Sequence, residues 1–248
     1  MIIILSALLL LFLYIIGKER GIKTFFTFYL SIGLIILYVI LMNLGLNAIL
    51  MALIICIIAT IICIFMLNGY NIKTKASFIS IMIVLFIVFA LIYIIGKKAN
   101  IQGFSLESLD SIGAFSFDIN YDMTNVMIGI YLVAIIGTVI DTSISVSSAM
   151  NEILINNPKI NDKELFKSGM NIGSDIMATT INTLFFALIC TFIGFSMWHR
   201  GSNIGYIINY KSFDQDLIQL LISFIGSILI IPITAYISSK LLLNKKII

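Results

Sequence analysis

Charge is scarce in this sequence. Only 11% of its 248 residues are Asp, Glu, Lys or Arg, while 60% are apolar, and the mean hydropathy is +1.13. Soluble domains carry about twice that share of charge, so a water-soluble fold is excluded. Histidine is reduced to His199, which cannot build a zinc triad by itself. The three cysteines, Cys56, Cys63 and Cys190, all fall in apolar runs with no further ligands at metal or disulfide spacing. They read as small packing residues. The sequence also lacks a G-x-S-x-G elbow, an H-E-x-x-H pair and a phosphate-binding glycine loop, so neither enzyme, metal nor cofactor is expected. A net charge of +3 without a soluble basic domain gives no footprint for nucleic acid.

What is present is a series of apolar runs of nearly membrane-crossing length. They cover residues 2–16, 22–44, 46–67, 78–95, 126–150, 177–198 and 217–243. The expected fold is an all-α integral membrane protein, a polytopic bundle of about seven transmembrane helices forming a single transmembrane domain over 1–248. Residues 1–95 hold helices one to four, 96–125 form an external loop, and 126–248 hold helices five to seven with most of the polar groups. The first run has no basic residue before it and no small-residue cleavage site, and Lys18, Arg20 and Lys23 follow it. It reads as a retained helix, short for a full span, and the lipid bilayer is its surroundings.

Basic residues divide unevenly between the two sides. Lys18, Arg20, Lys23, Lys73, Lys75, Lys159, Lys163, Lys167, Lys240, Lys245 and Lys246 share one side, against Lys97, Lys98, Arg200 and Lys211 on the other. The positive-inside rule then puts the N-terminus outside and the C-terminus in the cytoplasm. The external loop mixes Glu107, Asp110, Asp118 and Asp122 with Phe104, Phe115, Phe117 and Tyr121. It is too short for an independent domain of about 50 residues and should lie against the membrane surface. Residues 151–176 read as a polar cytoplasmic loop in which Asn161 and Glu164 have the N-cap and N3 spacing of a connecting helix. Trp198, Tyr206 and Tyr210 suit an outer aromatic belt.

The fifth run carries the most informative pattern. Asp141, Ser145, Ser148 and Glu152 fall within about 60° of one another at about 100° per residue, and Gly137 and Thr138 extend that face outward. A carboxylate this deep costs roughly 3 kcal/mol against lipid, so the stripe is expected to point into the bundle or at water. The sixth run has a matching stripe, Asn171, Asp175, Thr179 and Asn182, expected to face it. No Lys or Arg lies in the apolar parts of the last three runs, so the expected partners of Asp141 are Thr179, Thr180, Asn182, Thr183 or water. Such a carboxylate can be protonated reversibly, as a proton relay requires. It also fits a neutral Asp that only bonds neighbouring helices. Glu152 and Asp175 lie near the cytoplasmic interface, where charge is inexpensive. Pro232 with Thr234 could mark a kink in the seventh helix.

The strings GTVIDTSISVSSAMNEI (residues 137–153) and GMNIGSDIMATTINTL (residues 169–184), with the opening GKERGIKTFFTF (residues 17–28), resemble the YibE/F family. The chain is similar to its shorter, YibF-like members, because it lacks the extracytoplasmic domain of the longer YibE-like ones. The resemblance implies a bacterial multipass protein of the cytoplasmic membrane, of permease type, with no settled substrate. More distantly, Gly137, Asp141 and Glu152, with TTINTLFFALICTFIGF (residues 179–195), look like two membrane helices of the SecD and SecF export proteins. That likeness implies a proton-carrying position for Asp141 and a YibE-like membrane subunit as partner, although the large periplasmic domains of those proteins are missing. Two functions stay open at this point. One is a subunit of a proton- or sodium-coupled transport or export system; the other is a non-transporting scaffold or accessory subunit.

Overall fold

The fold is described from a computed structural model covering residues 1–99, 122–198, 203, 205 and 210–244. The long helices are α1 (Ile2–Gly17), α2 (Glu19–Asn43), α3 (Ala48–Ile61), α4 (Ile72–Lys98), α5 (Met123–Asn156), α6 (Asp162–Trp198) and α7 (Lys211–Asn244). A π-helical turn, Ile62–Met66, prolongs α3. No strand occurs among the described residues. Among the described residues six helices are long and apolar enough to cross a membrane, counting α3 with its π turn. The sixteen residues of α1 reach about 24 Å, short of a hydrocarbon core of about 30 Å.

Polar residues define where these helices begin. Asn47 Oδ1 accepts from the backbone N–H of Ile49 at 3.0 Å, and Asn71 forms a reciprocal capping box with Thr74. Asp122 accepts from Thr124 N–H at 3.0 Å, and Asn161 from Glu164 N–H at 2.9 Å. The Asn161 spacing is thus a helix start, as expected, but of α6 itself. The cytoplasmic loop expected over 151–176 shrinks to 157–161, because α5 runs on to Asn156 and α6 begins at Asp162. Hydropathy measures the length that lies in lipid, whereas the helix ends only where caps and turn residues stop it.

The bundle is organised around α5, which packs on α3, α4 and α7. Ile128, Tyr131, Leu132, Ile135 and Val139 of α5 interlock with Val84, Val88 and Ile92 of α4, and with Ile222 and Ile230 of α7. A second cluster at the other end joins Val146 and Met150 of α5 to Leu165 of α6 and to Ala235 and Leu242 of α7. Lipid is as apolar as leucine, so such contacts stabilise through close fit more than through exclusion of water. Gly129 illustrates that fit: a Cβ there would overlap the Tyr38 hydroxyl and press on the Ala48 carbonyl, so α5 can approach α2 and α3 only with glycine. The helix α1 leans on α2, joined through Lys18 at φ 47° and tied by a Ser6–Tyr29 hydroxyl contact. Pro232 lies inside α7, which continues through it from Lys211 to Asn244.

Candidate functional site

Asp141 is near the middle of α5. It lies about four residues, or about 6 Å, inward of the midpoint between Asp122 and Glu152. Its side chain is exposed, as are those of Ser145 and Glu152, while Ser148 is half-buried. The buried residues Leu132, Val139, Ser143, Val146 and Met150 occupy the opposite face, centred about 180° away. The expectation that the stripe points into the chain's own bundle is therefore corrected. The cost of a carboxylate in lipid requires that it be covered, but it does not say by what. The opposite face of α5 combines hydroxyls with Ile135, Val139, Val146 and Met150, so it has the shape and apolar area to win the core.

The second stripe is also exposed. Asn171, Asp175, Thr179 and Asn182 lie on the outer face of α6, away from the residues that pack it. Its contact face is made by Gly173, where a Cβ would run into Ile231 of α7, and by Gly169, which abuts Met150 and Ala235. The α5 and α6 helices thus meet at the end nearest the turn that joins them. Nine residues outward from the Gly169–Met150 contact lie Asp141 on one helix and Ala178 on the other. Asp141 and Thr179 therefore share a depth to within about one helical turn. Neither stripe buries the other. The Thr179 and Thr180 hydroxyls donate to the Ile176 carbonyl at 2.8 and 2.9 Å, and that of Thr183 donates to the Thr179 carbonyl at 2.9 Å. The expected bonds from α6 to Asp141 are absent among the described residues. On the π turn, Cys63 Sγ lies 4.0 Å from Ser31 Oγ of α2.

A buried hydroxyl lattice, outside both expected stripes, joins α4, α5 and α7. Ser143 Oγ lies 2.9 Å from Thr234 Oγ1, the Ser77 hydroxyl donates to the Ser143 carbonyl at 3.3 Å, and the Ser147 hydroxyl donates to the Lys73 carbonyl at 2.8 Å. Thr142 and Ser238 are buried without a hydrogen-bond partner for their hydroxyls among the described residues. The available signal was the i, i+4 pair Ser143 and Ser147 on the face opposite Asp141.

Cys56 is buried, Cys63 half-buried and Cys190 exposed, all three as free thiols. Among the described residues no group of three or more His, Cys, Asp or Glu side chains is placed to hold a metal. Glu107, Asp110, Asp118, Phe104, Phe115, Phe117, Tyr121, His199, Arg200 and Tyr206 lie outside the described residues.

A family model described as YibE/F-like protein matches residues 5–244, from α1 to the end of α7. No curated protein and no solved structure matches the chain, so the likeness to SecD and SecF rests on the sequence strings alone. Nearly every described residue, including both polar stripes, falls within the matched region, and the chain belongs to the YibE/F-like family.

Proposed function

We propose that this chain is a subunit of a proton- or sodium-coupled transport or export system of the bacterial cytoplasmic membrane. Asp141 is its coupling residue, and Ser145, Ser148, Thr179 and Asn182 flank the path. The observation that carries this reading is the exposed carboxylate at mid-membrane depth, level with a second exposed polar stripe. Facing lipid, it would cost about 2.5–3.5 kcal/mol on an insertion scale, so the face works when another membrane chain closes over it. A longer YibE-like subunit fills that place in the reading. Enclosed there without a neighbouring Lys or Arg from α5, α6 or α7, Asp141 can exchange a proton along water or hold a sodium ion beside hydroxyl oxygens. Glu152 and Asp175 form the cytoplasmic mouth of the same path. No bond-making chemistry enters, so the protein is read as a transporter component and not an enzyme.

A second reading, a non-transporting scaffold, draws support from the α6 hydroxyls, which donate into their own helix and not towards Asp141. The two readings part at Asp141→Asn, which keeps the shape and removes the charge. Coupling predicts lost transport, seen as lost ion-gradient dependence in proteoliposomes holding both subunits, with normal insertion. Unchanged transport with normal insertion would sink the coupling role. The scaffold reading expects Asn to be tolerated and Asp141→Leu to release the partner during detergent co-purification.

A further inference from the structure

Charge asymmetry puts the N-terminus of α4 and the C-termini of α5 and α7 at the cytoplasmic end of the bundle, where they line an open cavity of about 510 Å³. Its wall contains Asn71, Lys73, Asn151, Leu154, Ile155 and Leu242. The volume falls within the range of sites for small organic ligands. The composition is specific: one cation, two amides, an apolar remainder and no carboxylate among the lining residues.

The geometry fixes which of these polar groups are free for a ligand. The Ser147 hydroxyl donates to the Lys73 carbonyl at 2.8 Å, which clamps the start of α4 to α5. Asn151 follows Ser147 by four residues on α5, so it shares that face and sits beside the clamped Lys73. The Asn71 side chain is already engaged in the capping box and with the Asn68 carbonyl. By contrast, neither the Lys73 ammonium nor the Asn151 amide has a hydrogen-bonding or ionic partner among the described residues. The neighbouring Lys75 turns away, with its ammonium 4.7 Å from the centre of the Tyr70 ring. Glu152 is exposed on a face of α5 about 100° from Asn151.

We infer that this cavity binds the phosphate of an anionic phospholipid headgroup, with Lys73 and Asn151 as donors and Ile72, Leu154, Ile155 and Leu242 holding the first methylenes of the chains. Basic pockets between helices on the cytoplasmic side are suited to that ligand, since the ammonium meets a phosphate and the walls meet hydrocarbon. A neutral amide beside the cation adds hydrogen bonds without adding charge. This inference does not depend on the coupling role of Asp141.

The test uses the full chain purified in a mild detergent. Its thermal midpoint is followed while dioleoyl phosphatidylglycerol, dioleoyl phosphatidylcholine or inorganic phosphate is added, and bound lipid is counted by native mass spectrometry. Phosphatidylglycerol should stabilise and be retained, while phosphatidylcholine should do neither. Lys73→Gln and Asn151→Leu should each weaken retention by about fivefold or more, while Lys73→Arg retains it and Lys75→Gln leaves it unchanged. The Arg variant shows that the fold survives substitution at this position. Equal stabilisation by phosphatidylcholine, or full retention in Lys73→Gln, overturns the inference. Full stabilisation by inorganic phosphate with no retained phosphatidylglycerol overturns the lipid as the source and assigns the site to a free anion.

Discussion

Replacing Asp141 by leucine separates an outward from an inward carboxylate by the sign and size of its effect. In the isolated chain Asp141 is exposed, and in the unfolded but inserted state α5 also presents it to detergent or lipid. Its surroundings change little on folding, so Asp141→Leu should alter the unfolding free energy of the isolated chain by no more than about 0.5 kcal/mol. Insertion of α5 should become easier by about 3 kcal/mol, since Asp at a helix centre stands about 2.5–3.5 kcal/mol above zero and Leu somewhat below it. The comparison variant is Ser143→Leu. Ser143 is fully buried between Ser77 and Thr234, and three extra carbon atoms there force apart α4, α5 and α7 at a cost of about 1–3 kcal/mol. Reversible unfolding of the purified chain in mixed micelles with rising dodecyl sulfate measures both variants. If Asp141→Leu destabilised the isolated chain as much as Ser143→Leu, the carboxylate would be packed inside the chain and the outward face would be wrong.

Two further outcomes follow from individual contacts. Gly173→Val places two methyl groups against Ile231 and should push α6 off α7, lowering stability by about 2 kcal/mol in the same unfolding measurement and reducing disulfide cross-linking of a cysteine pair placed at positions 150 and 169. Where α4 ends and α5 begins, the Lys97 ammonium 2.9 Å from Asp122 holds that carboxyl below its usual range, with Thr124 adding a backbone hydrogen bond. A lowered folded-state pKa gives stability that is present above the unfolded value of about 3.9 and is lost as pH falls through the folded value. The pair is half exposed, so the stability gap between the natural chain and Asp122→Asn should stay below about 1 kcal/mol, hold steady above pH of about 5 and close below about 4. A gap that widened towards acid would contradict the pairing.

The bundle was legible because its signals are local. Apolar runs of membrane length located the long helices among the described residues, and Asn161 followed by Glu164 located a helix start, since both depend only on neighbours in the chain. The π turn at Ile62–Met66 had no such signal: it is one extra residue in a continuous apolar run, and hydropathy does not register it. Helix lengths were underestimated at Asn156 and Asp162 for a related reason, because polar interfacial residues end the lipid-buried length without ending the helix.

The sequence alone determined that α5 has two faces, one carrying Asp141, Ser145, Ser148 and Glu152 and the other carrying Ser143 and Ser147 among Val139, Val146 and Met150. Periodicity sorts residues into faces but cannot say which face a neighbour covers. Tertiary structure decided that. Ser77, Lys73 and Thr234 supply groups at hydrogen-bonding distance on α4 and α7, and Val84, Val88 and Ile230 fit the apolar relief between them. The hydroxyl face therefore went inward, and the carboxylate was left on the outside at mid-membrane depth, where the free energy of a charge in lipid calls for a cover that the described part of this chain does not provide.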